Sequence, residues 1–129
     1  MNTTSYVLLR LAIATSMFGH GFVRLFKLDG FSKWMVGNFE KSMLPEALVL
    51  PFSYTLPFLE FIIGLLLIFG LFTRQALIAG SLVMIALIFG SSMVENWEAI
   101  PSQLIHIAFF ALLLQFVESN NWALDKKRS

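Results

Sequence analysis

Five ionisable side chains stand inside runs of apolar residues: Arg10, His20, Arg24, Glu60 and His106. Gln103 lies one helical turn before His106 and shares its face. Burial and neighbouring charges tune the protonation of imidazole and carboxylate, so His20, Glu60 and His106 are suited to taking up, holding and releasing protons. Arg10 and Arg24 would supply permanent positive charge. A charge at the centre of a bilayer costs about 2.5–3.5 kcal/mol on insertion scales, so groups of this kind are expected to pair.

Their spacing suggests that they meet. The depths follow from an antiparallel arrangement of helices, counted inward from the side away from the termini. At 1.5 Å per residue His20 lies roughly 9 Å in, Glu60 roughly 12 Å and His106 roughly 9 Å. At about 100° per residue, Arg10, His20 and Arg24 fall within an arc of roughly 80° on one helix. Glu60 is therefore expected to meet Arg10, Arg24 or a histidine inside the bundle; depth and rotation do not choose among them. Each residue also has a plainer reading. Arg10 and Arg24 are near helix ends, where long side chains reach the headgroups. A lone intramembrane histidine can serve only as a structural hydrogen-bonding group. Glu60 is too short to reach the surface from its depth, so a specific partner is expected for it.

Four apolar segments carry these residues, at 6–26, 52–72, 75–92 and 100–117. Each approaches the ~20 residues that span a ~30 Å hydrocarbon core as a helix. Leu71-Phe72-Thr73-Arg74 is a turn too short for anything but an antiparallel hairpin. Glu95-Asn96-Trp97-Glu98, followed by Pro101, makes a second short turn. The connection from Lys27 to Pro51 mixes Phe31, Trp34, Met35, Phe39 and Leu44 with Lys33, Glu40 and Lys41, the pattern of an amphipathic helix at a membrane surface. Pro45, Pro51 and Pro57 argue against one continuous helix through that region. Trp34, Trp97 and Trp122 fall outside the spans, as interface anchors do. The pairs Ala12/Ser16 and Ala76/Gly80 would allow close helix contact.

Composition agrees. The chain has 129 residues, 57% hydrophobic and 13% charged, with a mean hydropathy of +0.77. So small a domain exposes much surface, and these few polar groups cannot cover it. A net charge of +1 gives no basic face for nucleic acid. With no cysteine there are no disulfides, thiolate metal sites or thiol redox chemistry, and no metal site is expected. The first apolar run contains Arg10, His20 and Arg24, which suits a retained span better than a cleaved signal peptide. The fold class expected is all-α: one domain over residues 1–129, an integral membrane four-helix bundle with a partly helical connection between spans one and two. Arg74, Lys126, Lys127 and Arg128 on the terminal side nearly balance Arg24, Lys27, Lys33 and Lys41 opposite, leaning toward both termini in the cytoplasm.

At these residues the chain resembles the DoxX family of small bacterial membrane proteins. Leu8-Leu9-Arg10-Leu11 opens the first span, and His20-Gly21-x-x-Arg24 is similar to the family's His-Gly-x-x-Lys pattern, with arginine for lysine. Glu60, Gly64, Gly70, Thr73 and Arg74 follow the family's Glu-x3-Gly-x5-Gly-x-x-Thr-Arg spacing. Many members carry a second glycine where this chain has Leu65. The resemblance extends over nearly all of the chain, the last two spans matching mainly in hydrophobicity. It implies a four-helix membrane fold, structural roles for Gly21, Gly64, Gly70, Thr73 and Arg74, and a bacterial inner-membrane location. It also implies kinship with a quinone-reducing membrane subunit and with oxidative-stress complexes.

The first functional expectation is an accessory subunit of a membrane oxidoreductase, binding quinone near His20, Glu60 and His106. Redox protein partners would supply the electrons, since no motif for flavin, nicotinamide or an iron–sulfur cluster is present. Haem held by His20 and His106 is another reading, which two histidines alone do not single out. A proton or small-solute transporter and a non-enzymatic membrane scaffold complete the alternatives. Oligomeric state is not legible.

Overall fold

In hydrocarbon no water satisfies an open backbone N–H or C=O, and a helix closes each such group within its own segment. The computed structural model describes residues 1–128, with side chains as far as Lys126, and contains no strand among them. In chain order it forms α1 (Thr3–Leu25), α2 (Leu28–Phe39), α3 (Glu46–Phe69), α4 (Thr73–Met93), a 3₁₀ turn at Trp97–Ala99, α5 (Ile100–Gln115), a second 3₁₀ turn at Val117–Ser119 and α6 (Leu124–Arg128). By length and composition, α1, α3, α4 and the continuous stretch Trp97–Gln115 can each cross a membrane. Their outer faces are apolar: Leu8, Ile62, Leu82, Ile85 and Ile105 are each at least half exposed. Such a belt, running round all four helices, suits lipid rather than water. Lys127 and Arg128, two of the basic residues assigned to the terminal side, have side chains outside the described set.

As expected from the prolines, no continuous helix runs through the connection: the chain breaks at residues 40–45 between α2 and α3. Pro45 precedes α3 as its N-cap, and Pro51 and Pro57 lie inside it. A proline in a membrane helix is tolerated where hydroxyls and neighbouring helices take up the freed backbone groups. The missing N–H groups of Pro51 and Pro57 leave the Ala47 and Ser53 carbonyls without their helical donors, while the Ser53 and Thr55 hydroxyls donate to the neighbouring Leu50 (2.6 Å) and Pro51 (2.8 Å) carbonyls. The span starts at Glu46, six residues ahead of the sequence boundary.

The helix pair α1–α3 is the spine. At Gly21 a Cβ atom would lie 2.4 Å from the Phe61 backbone nitrogen and 2.7 Å from the Pro57 carbonyl oxygen. At Gly64 it would lie 2.5 Å from the Phe18 backbone nitrogen. The two main chains thus touch through a glycine from each side, a contact no larger residue permits. Ala12, expected at a close helix contact, is exposed instead, whereas Gly80 receives the ring of Phe110 from α5.

The terminal end is closed by polar contacts. Arg10 is buried and donates to the Asn120 side-chain oxygen and to the Trp122 carbonyl (2.9 Å). Asn120 donates to the Thr73 hydroxyl (2.9 Å). The carboxylate of Asp125 accepts the backbone N–H groups of Phe72 (2.7 Å) and Thr73 (2.8 Å), capping α4. Gly70 ends α3 in the left-handed conformation (φ 65°), and a Cβ there would strike Ala123 at 2.4 Å. Ser119 and Asn121 bond to Met1 and Thr3, so both termini and the α3–α4 turn share one end.

Candidate functional site

Ser16, His20 and Arg24 recur every fourth residue on α1 and so form one stripe. Arg24 donates to Glu60 Oε1 on α3 at 2.6 Å, with side-chain exposures of 27% and 3%. The carboxylate is the sequestered partner, and the guanidinium still reaches the surface. Phe31 of α2 lies against the other face of that guanidinium, its ring centroid 4.5 Å from Cζ. The charge therefore has a carboxylate on one side and a π-face on the other. Ser32 of α2 bonds Ser53 of α3 at 2.7 Å, which holds α2 in this position.

The histidines are tethered through Ser16. His20 Nδ1 lies 2.7 Å from the Ser16 carbonyl, and His106 Nδ1 lies 2.7 Å from the Ser102 carbonyl. A carbonyl only accepts, so both rings carry their proton on Nδ1 there and, when neutral, present Nε2 as a base. His106 Nε2 accepts the Ser16 hydroxyl at 2.7 Å. His20 Nε2 has no protein partner among the described residues. The rings approach edge to face, with centroids 6.2 Å apart. Because Ser16 occupies His106 Nε2, the two imidazoles do not present a free pair of axial ligands for haem. Among the described residues no group of three His, Asp or Glu side chains is placed to hold a metal ion.

Three cavities converge here. An outer groove of about 740 Å³ runs between α1 and α2, with Gly19, His20, Val23 and Arg24 along one wall and Phe31 and Trp34 along the other. The two aromatic rings are stacked, 6.0 Å apart and inclined by 27°. An inner cavity of about 180 Å³ touches His20, Arg24, Glu60, Gln103 and His106. A third, about 190 Å³, reaches from Arg24 and Gln103 to Asn38 and Asn96 at the end of the bundle away from the termini. Gln103 donates to the Ser91 hydroxyl at 3.0 Å, while its own oxygen is buried without a donor.

Of the six polar residues singled out in the sequence, five therefore line one cavity. Arg10 does not join them. It lies fourteen residues before Arg24, about 21 Å along the helix axis, and is committed to the C-terminal segment. Thr73 is buried in that terminal network and Arg74 is exposed at the start of α4. Sequence reasoning took Ser16 only as a small residue for close helix contact, whereas its four-residue spacing to His20 would have flagged it as a polar partner. It also read Phe31 and Trp34 as surface anchors rather than walls of a groove.

Four lipid-length apolar helices, sealed at one end and enclosing a polar chamber toward the other, define a multi-span α-helical membrane protein. The model of the DoxX family matches residues 5–93, more than half of the chain, and the protein belongs to that family. No curated protein and no solved structure matches it. The matched stretch contains Arg10, His20, Arg24 and Glu60, but stops before α5, so Gln103 and His106 lie beyond it.

Proposed function

We propose that the protein binds the head group of a lipid-soluble quinone in the groove between α1 and α2, as an accessory subunit of a membrane oxidoreductase. One observation carries the reading. His20 is held through Nδ1, keeps Nε2 free, and lines a groove of ligand size whose opposite wall is the Phe31–Trp34 stack. Pockets that bury small ligands span about 300–1,000 Å³ and are mostly apolar with a few fixed polar groups. This groove has that character, and aromatic side chains offer a flat surface to a planar ring.

When bound, a quinone supplies two-electron redox chemistry coupled to protons. His20 Nε2 accepts a hydrogen bond or a proton from the hydroxyl of the reduced ligand, and donates to the carbonyl of the oxidised ligand only once the imidazole carries a second proton, while the Ser16 carbonyl holds the ring in orientation. Arg24 keeps a positive charge at the groove wall, and Glu60 balances it from the buried side. Electrons come from a protein partner. In this reading the chain resides in a bacterial inner membrane with both termini in the cytoplasm.

The test is tryptophan quenching by a short-tailed quinone analogue in nanodiscs. A protein retaining only Trp34 (Trp97→Phe, Trp122→Phe) is expected to quench saturably. Loss of one hydrogen bond in His20→Ala should weaken binding of the reduced analogue, whose hydroxyl donates to Nε2, about 2- to 10-fold, the equivalent of ~0.5–1.5 kcal/mol, read by its competition with the oxidised form. A protein retaining only Trp122, at the opposite end, should show no saturable component. Quenching of Trp34 that rises linearly with quinone and matches Trp122 would overturn the reading.

A further inference from the structure

We infer that a water-filled half-channel enters the bundle at the end away from the termini and stops at Glu60, giving that carboxylate and the two histidines a proton route from one side of the membrane. The route is built from the two smaller cavities. The one of about 190 Å³ has exposed Asn38 and Asn96 at its mouth, and Ser91 and Gln103 further in. The one of about 180 Å³ continues to His20, Glu60 and His106. Arg24, Leu87, Ala99 and Gln103 line both, so the cavities meet there. At ~30 Å³ per molecule each has room for about six waters.

Polarity separates this path from a dry void. Empty cavities are lined by apolar groups, whereas a water needs two to four polar partners. Asparagine, serine, glutamine and arginine side chains mark the path from mouth to junction. Gln103 adds an independent sign. Its amide oxygen is buried without a donor, although its nitrogen reaches Ser91 at 3.0 Å. Turning the amide over would satisfy the oxygen and strand the nitrogen, so the group stays incomplete within the protein. A water at the junction completes it.

Among the described residues the path has no exit at the other end. Beyond Glu60 toward the termini, Ile13, Ala14, Leu67, Leu77 and Leu113 are buried, and Tyr6 closes the layer by donating to the Leu113 carbonyl at 2.8 Å. A proton reaching Glu60 from water therefore arrives from the Asn38/Asn96 side. The Glu60 carboxylate, paired with Arg24, and the imidazoles of His20 and His106 are the chamber groups able to exchange a proton that arrives by this route. The inference needs no quinone, since it concerns only how water reaches the chamber.

The chain has no cysteine, so single cysteines report accessibility without background. Reconstituted full-length Ser91→Cys, Leu87→Cys and Gln103→Cys proteins would be treated with a small cationic methanethiosulfonate from either side. All three are expected to react at least tenfold faster from the Asn96 side, with Asn96→Cys fixing which side that is. Ile85→Cys and Phe89→Cys, on the exposed outer face of α4, should stay unreactive. Reaction at Asn96→Cys with silence at both Leu87→Cys and Gln103→Cys would overturn the half-channel. So would equal reaction from both sides, or reaction at Ile85→Cys and Phe89→Cys. If Leu87→Cys does not fold, Gln103→Cys and Ser91→Cys decide. No quinone is present, so failure here is distinct from failure of the quenching test.

Discussion

Replacing Arg24 by methionine should destabilise the bundle far more than replacing Glu60 by glutamine, although both remove the same ion pair. The reason is the unequal burial of the partners, 27% against 3% side-chain exposure. Arg24→Met leaves a carboxylate enclosed by helices with its countercharge gone, and breaking a buried pair in this way costs about 3–5 kcal/mol. Glu60→Gln leaves a guanidinium that still stacks on Phe31 and borders the outer groove. Its loss is about one charge-assisted hydrogen bond, ~1.5–3 kcal/mol, reduced because the amide oxygen can still accept from Arg24. The expected gap is about 2 kcal/mol. The double variant Arg24→Met/Glu60→Gln strands no charge, and should recover at least ~1 kcal/mol relative to Arg24→Met alone. Reversible unfolding in mixed detergent and dodecyl sulfate micelles, followed by circular dichroism, measures all three. The reasoning fails if Glu60→Gln is the more damaging single change, or if the two single effects simply add.

Gly21→Ala and Gly64→Ala should each destabilise by about 1–3 kcal/mol in the same assay, because the new methyl would meet main-chain atoms 2.4–2.7 Å away. Gly19→Ala, with nothing within 4 Å of the added carbon, should be neutral or stabilising by up to ~1 kcal/mol. Asp125→Ala removes the cap on α4 and should cost about 1 kcal/mol, with faster hydrogen exchange at the Phe72 and Thr73 amides than in the parent.

What the sequence made legible follows from which energies are local. Four lipid-length runs are visible because insertion depends on summed apolarity, and α4 and its hairpin with α3 lie close to where hydropathy puts them. Glu60 could be identified as partnered because its side chain is too short to escape. Its partner could not be chosen, since Arg10 and Arg24 share a helix face and differ only in depth. The prolines marked correctly that no one helix runs through the connection, but not that only Pro45 stands at the break while Pro51 and Pro57 lie inside α3. The aromatic wall was hidden for a different reason: Phe31 and Trp34 read as an amphipathic stripe until α2 folds back on α3, setting Phe31 over Arg24 and Trp34 beside it along the groove. The terminal network draws Arg10, Thr73, Asn120 and Asp125 from three separated segments, and no periodicity links them.

The two arginines of α1 show why the chemistry belongs at one end. Arg10 and Arg24 have the same charge, lie on the same face and begin from the same cost in lipid. Arg10 meets that cost with neutral oxygens from Asn120 and Trp122, packed where the C-terminal segment seals the bundle. Tyr6, Leu67 and Leu113 fill the adjoining layer, and the cleft of about 370 Å³ at that end touches Asn120 and Asp125 without reaching Arg10 itself. Arg24 meets the same cost with a carboxylate and a ring, and lines all three cavities that converge on the site. A helix stabilised only for its own sake would gain most from closing both ends in the first manner. That α1 instead sets Arg24 against Glu60 of α3, and His20 with a free nitrogen beside a groove of ligand size, within two turns supports the proposed binding site. The sealed end supplies the rigidity against which that site can stay open.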